Sequence, residues 1–181
     1  MFDRDFEQSI QEKIDLLFSS YAFHGFEISP SQLDALKTLF RCSEFCTQTC
    51  LKYPDTTKQL LDYHARKTDV SRDEYLAQLN AQVKNIESSD ELSQTLRQFR
   101  YEKMLRIAWR DLVDKISVEQ TLKELSWLAD ACIVSSVAKL MDWAVYKYGQ
   151  PIDENTQPIH LVVLAMGKLG ADELNFSSDI D

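Results

Sequence analysis

Glycine and proline are scarce, with 4 of each in 181 residues. A fold of many tight turns uses far more of both, so long helices are favoured over a many-turned β architecture. Long apolar runs are also lacking. The longest, Leu161 to Met166, has six residues, whereas a bilayer-crossing helix needs about 20, so no membrane partner is expected. Basic charge is outweighed, leaving a net charge of −9. Nonspecific nucleic-acid binding depends on a Lys- and Arg-rich surface and is therefore not expected either. The start, Met1-Phe2-Asp3-Arg4-Asp5, lacks the basic-then-apolar form of a secretion signal, which points to the cytoplasm.

Cysteines number 4, with no C-x-x-C pair among them. Cys42, Cys46 and Cys50 follow one another at i, i+4 and i+8, and on one helix that spacing would set three thiols on one side. A metal site would need a fourth ligand, so the thiols read as small hydrophobes of a core in a reducing compartment. Cys132 reads the same way. His24, His64 and His160 are scattered, and no zinc site is expected.

What is abundant is helix punctuation. Ser29-Pro30-Ser31-Gln32, Ser71-Arg72-Asp73-Glu74, Ser88-Ser89-Asp90-Glu91 and Ser117-Val118-Glu119-Gln120 all match the capping box. In it a Ser oxygen accepts an orphan backbone N–H, and a Glu or Gln three residues on returns a bond to the Ser amide. The last box opens a helix expected from Val118 to Tyr148, with Val118, Leu122, Leu125, Ala129 and Cys132 on one face and Gly149 and Pro151 as the stop. Between Trp127 and Tyr146 the apolar positions spread around the helix, which predicts the buried centre of a bundle. The segment Asp90 to Ile116 should pack similarly through Leu105, Ala108, Leu112 and Ile116. Residues 1–150 therefore read as one helical region, with Tyr148 to Pro158 linker-like. Within it, Arg97, Arg100, Lys103, Arg106 and Arg110 face a single acid, Glu102, a local net of +4. Such a run reads either as a solvated face paired with acidic helices or as a surface for phosphate or an acidic partner.

The pattern changes after Pro158. Ile159-His160-Leu161-Val162-Val163-Leu164-Ala165 is short, apolar and β-branched, which predicts a buried strand. A glycine turn, Met166-Gly167-Lys168-Leu169-Gly170, follows. Val162 and Leu169 stand where a Walker A loop needs Gly and Ser or Thr, and a G-x-x-G cannot serve as a dinucleotide fingerprint. Ahead lies Asp179-Ile180-Asp181. Extended, it would point both carboxylates to one face. Hard oxygen ligands beside a glycine turn suit Mg²⁺ on a polyphosphate, although a lone D-x-D is most often a solvated turn.

Met166 to Gly170 followed by Glu173-Leu174-Asn175-Phe176-Ser177-Ser178-Asp179-Ile180-Asp181 resembles the first nucleotidyltransferase motif of the bifunctional glutamine synthetase adenylyltransferase/adenylyl-removing family. Arg106 to Leu112 and Leu125 to Cys132 are similar to that family as well. The resemblance implies a mainly α chain: a helical bundle, then at 159–181 the first strand–turn–strand of an α+β nucleotidyltransferase domain of the DNA polymerase β type. It implies Asp179 and Asp181 as catalytic, metal-binding carboxylates. Gly167, Lys168 and Gly170 would form the phosphate-approach turn, and Ser177 and Ser178 would either support that turn or contact phosphate. The implied cofactor is Mg²⁺, with ATP, ADP and phosphate as substrates. The implied partners are glutamine synthetase, whose tyrosine gains or loses AMP, and the PII signal protein.

Two departures follow from the same comparison. Ala171 stands where the family often has a second Gly, which predicts an altered turn. The third acidic residue of the superfamily, on a later strand, is not in the chain, so these residues read as an N-terminal part of such an enzyme, inactive alone. The alternative is a non-catalytic helical module or truncated gene product that binds glutamine synthetase or the PII regulator, with the Arg97 to Arg110 surface in the contact.

Overall fold

A computed structural model of the chain describes residues 4–62 and 69–178. The described residues are mostly helical: α1 (Arg4–Phe18), a 3₁₀ turn (Tyr21–Phe23), α2 (Pro30–Cys42), α3 (Glu44–Lys52), α4 (Pro54–Leu60), α5 (Arg72–Val83), α6 (Ser89–Trp109), a π-helical turn (Arg110–Asp114), α7 (Val118–Tyr148) and the one-turn α8 (Gly167–Gly170). Two compact units arise, one from Met1–Asp69 with Tyr101–Thr121, the other from Val70–Arg100 with Leu122–Asp181.

The caps behave as their chemistry requires. At Ser29 and Ser71 both arms of the box close, onto Gln32 and Glu74. At Ser88 the hydroxyl accepts the Glu91 N–H at 3.2 Å, and at Ser117 it accepts that of Gln120 at 3.2 Å. The Gln120 side chain does not return to Ser117; it donates instead to Asp69 at 3.0 Å. α7 begins and ends where the sequence places it, and Gly149, at φ +89°, supplies the left-handed stop that any Cβ would strain.

In the first unit, Ile10, Ile14 and Leu17 of α1 pack with Leu36, Leu39 and Phe40 of α2, Cys46 and Cys50 of α3, and Leu105, Ala108 and Trp109 of α6. Arg41 clamps Glu7 with two hydrogen bonds, at 2.8 and 2.6 Å, fixing α2 to α1. The three neighbouring cysteines do not share a helix. Ser43, at φ −152°, ends α2 and caps α3 by accepting the Cys46 N–H, so Cys42 is exposed while Cys46 and Cys50 are buried. Burial pushes the Cys46 thiol up to about 11 and the Cys50 thiol up to about 12.

The basic run of α6 is also corrected. Arg106 and Arg110 are buried, and Arg110 donates to Asp69 at 2.6 Å. Burial holds the Lys103 ammonium below its ordinary value. This placement takes Arg106 and Arg110 out of any solvated or docking face, while Arg97 and Arg100 stay exposed.

In the second unit, Tyr75, Leu79 and Val83 line one face of α5, with Phe99 of α6 and Leu125, Leu128 and Ala131 of α7 also buried. Ser135 donates to Asn80 at 2.8 Å and Lys139 to the Lys84 carbonyl at 2.9 Å. Equal steps of four residues on each helix show that α5 and α7 run in the same direction. Tyr75 OH donates to Glu124 at 3.3 Å, and Arg72 pairs with Asp130. Beyond Ser135 no described residue of α7 is buried, and Leu140 is 49% exposed. The expected buried centre is therefore confined to the first half of the helix.

The predicted strand does not form. Residues 159–166 carry no regular structure, and their side chains stand in solvent, Leu164 at 81% and Met166 at 83% exposure. A strand exists only through the ladder a neighbour provides. Among the described residues the only pairing is an isolated antiparallel bridge between Ile152 and Pro158. That bridge closes a tight loop, not a linker: Asp153 accepts the N–H groups of Asn155 and Gln157, each at 2.8 Å.

Two outcomes follow. At about pH 8, a thiol reagent should label Cys42 quickly, and Cys46, Cys50 and Cys132 only on denaturation, because thiols raised this far carry almost no thiolate. Asp69→Asn should lower stability in urea by about 1–2 kcal/mol, a charged hydrogen bond discounted for the exposure of Asp69. The Arg110 and Gln120 donors hold the Asp69 carboxyl below the usual carboxylate range. Its contribution is therefore complete near neutrality and lost as the pH falls below about 4, so the wild-type advantage should vanish in acid.

Candidate functional site

Ser126 of α7, fully buried, donates its hydroxyl to the Leu122 carbonyl at 2.9 Å and accepts the Leu174 N–H at 3.0 Å. The buried Leu174 side chain completes this tie, which sets the motif of residues 166–178 against α7.

Upstream of the tie, the expected glycine turn is α8. Its C-terminus is a Schellman motif: Glu173 N–H donates to the Lys168 carbonyl at 2.8 Å and Asp172 N–H to that of Leu169 at 3.2 Å, with Asp172 left-handed at φ +58°. Gly167 is the glycine that needs its freedom, at φ +57°. Gly170 is required for space, since a Cβ there would meet the Ala165 carbonyl oxygen at 2.5 Å. Ala171 sits at φ −94°, open to any residue, so the expected strain from a missing second glycine does not arise. The left-handed position falls one residue later, on Asp172.

Downstream of the tie, Asn175 Oδ1 accepts from the Ser177 N–H at 3.2 Å, the Ser177 hydroxyl at 3.1 Å and the Ser178 hydroxyl at 2.7 Å. Sequence reading missed Asn175 and Ser126. The N-x-S-S spacing of an Asx turn was a signal for the first; nothing in a helical Ser marks the second.

An open groove of about 710 Å³ brings Lys168 and Ser178 together, lined otherwise by apolar side chains including Ile133 and Val137 of α7, Leu169 and Leu174. Gly167, Gly170 and Ser177 belong to the same motif but do not line the groove. Asp179 and Asp181 lie outside the described residues. Among the described residues, no three His, Cys, Asp or Glu side chains converge as a metal site.

The sequence model of the glutamate–ammonia ligase adenylyltransferase family matches residues 33–181. Relatives named bifunctional glutamine synthetase adenylyltransferase/adenylyl-removing enzyme share this sequence. That of Shewanella woodyi is 36% identical over 86% of this chain and 16% of its own length, and that of Nitrosococcus oceani 35% identical over 97% and 17%. The Pseudomonas aeruginosa protein is 35% identical over 83% of the chain and 15% of its own length. The chain belongs to the glutamate–ammonia ligase adenylyltransferase family, and it spans about a sixth of the length of the curated relatives it matches.

Gly170→Ala should displace the Ala165 carbonyl at a local cost of about 1–3 kcal/mol. The expected reading is amide exchange at Glu173 faster by about tenfold, with the helical signal of the chain unchanged.

Proposed function

We propose that the chain forms part of a nucleotidyltransferase that transfers AMP to or from a tyrosine of glutamine synthetase, and so takes part in the control of nitrogen assimilation. The observation that carries this reading is the motif of residues 166–181, a Schellman-closed glycine turn followed by a tie to α7 at Leu174, five residues before a D-x-D, within a chain of this family. The names of the relatives supply the substrate protein and both directions of transfer.

Asp179 and Asp181 would hold Mg²⁺, and the donor set fits, since both ligands are carboxylates at the i, i+2 spacing a hard cation accepts. Bound there, Mg²⁺ would polarise phosphate oxygens and offset the charge that builds during transfer. Lys168, exposed at the groove with Ser178, would attract the phosphates of ATP or ADP, and the Gly167 backbone would let them approach closely. The PII signal protein would regulate the balance of the two directions, and the cytoplasm would be the site of action.

The test is AMP transfer in a polypeptide of the relatives' full length that carries this sequence. ADP release from adenylylated glutamine synthetase and phosphate, and AMP incorporation from ATP, are followed with Mg²⁺ present. Asp179→Asn and Asp181→Asn should each lower one of these activities by at least about a hundredfold, several kcal/mol of charge stabilisation. Unchanged rates in both directions would overturn the assignment.

A further inference from the structure

The donors of Ser177 and Ser178 are all committed inside their own turn. The Ser177 N–H and both hydroxyls go to Asn175 Oδ1, at 3.2, 3.1 and 2.7 Å. The Ser178 N–H goes to the Asn175 carbonyl at 3.1 Å, and the Asn175 N–H returns to the Ser178 oxygen at 3.3 Å. A backbone N–H cannot donate to an amide NH₂, so the receiving atom of Asn175 is its oxygen. A phosphate clamp works the other way, by aiming N–H and O–H groups at the anion. With their protons turned inward, these serines present oxygen lone pairs, which repel a phosphate oxygen.

The turn is also anchored. Leu174, immediately before Asn175, is held by the buried Ser126 hydroxyl at 3.0 Å, and Ser178, at the other end, immediately precedes Asp179. We propose that Asn175 is a positioning residue: by gathering the protons of Ser177 and Ser178 it fixes the turn that delivers the chain to Asp179, so that the two serines serve the carboxylate and not the phosphate. This rests on the metal-binding reading of Asp179 and Asp181 given above.

Mn²⁺ alone, added to the whole chain and followed by its electron spin resonance, tests both layers. Wild type should bind, and Asp179→Asn should abolish most of that binding. Asn175→Ala should weaken it by about tenfold, the usual penalty for losing an outer partner of a metal ligand, and the Ser177 amide should lose its slow exchange. Asn175→Asp keeps an oxygen in place and should restore both readings. Asn175→Glu adds the same charge one methylene further out and should restore neither.

Wild-type affinity in Asn175→Ala would overturn the inference while leaving the metal reading intact. Equal rescue by Asp and Glu would also overturn it, by showing that charge alone matters. Absence of Mn²⁺ binding, or binding indifferent to Asp179→Asn, would sink the metal reading and this inference with it.

Discussion

A single buried hydroxyl governs the last part of the chain. Ser126 gives its proton to the carbonyl one turn back in α7 and takes the Leu174 N–H from the motif. An N–H buried without a partner costs roughly 1–3 kcal/mol, so the contact of Leu174 with α7 is tolerable only because an acceptor is already waiting there. The position of everything near it in sequence follows: the Schellman turn closes at Glu173, one residue before the tie, and the Asn175 turn opens one residue after. Local hydrogen bonding on either side of one long-range anchor replaces the ladder that a sheet would provide.

The first unit solves a similar problem with charge. Arg110 is buried at the start of a π-helical turn, and Asp69, distant in sequence, meets it there together with Gln120 from the helix that follows. Gln120 abandons the second arm of its capping box for that contact. A bond to a carboxylate that also faces a guanidinium outweighs one more neutral bond at an exposed helix start. At this cap, local preference loses to tertiary structure.

The helices were largely legible in sequence because their signals are local: a Ser with an acceptor partner three residues on, apolar steps of three and four, a terminal Gly. α7 was readable to the residue for that reason. The cysteine spacing misled because Ser43 breaks the helix between Cys42 and Cys46, and a cap signal was overlooked in favour of periodicity. The buried state of Arg106 and Arg110 could not be read, since their setting depends on residues such as Asp69, far away in sequence. The strand at 159–165 shows the limit of β propensity, which describes fit to a pleated surface and creates none by itself. At the motif, residue types were legible and roles were not. Ala171 was suspected of strain that falls on Asp172, and the serines proved to be organised by an asparagine that carried no weight in the reading.

Six successive apolar residues left in water, from Leu161 to Met166, have the makings of a sticky patch. Their flanks answer that hazard. Pro158 lies just upstream and Lys168 just downstream, and an imide nitrogen without a proton and a cation are both gatekeepers against cross-β stacking. Both residues work against stacking of the tract on a second copy of itself.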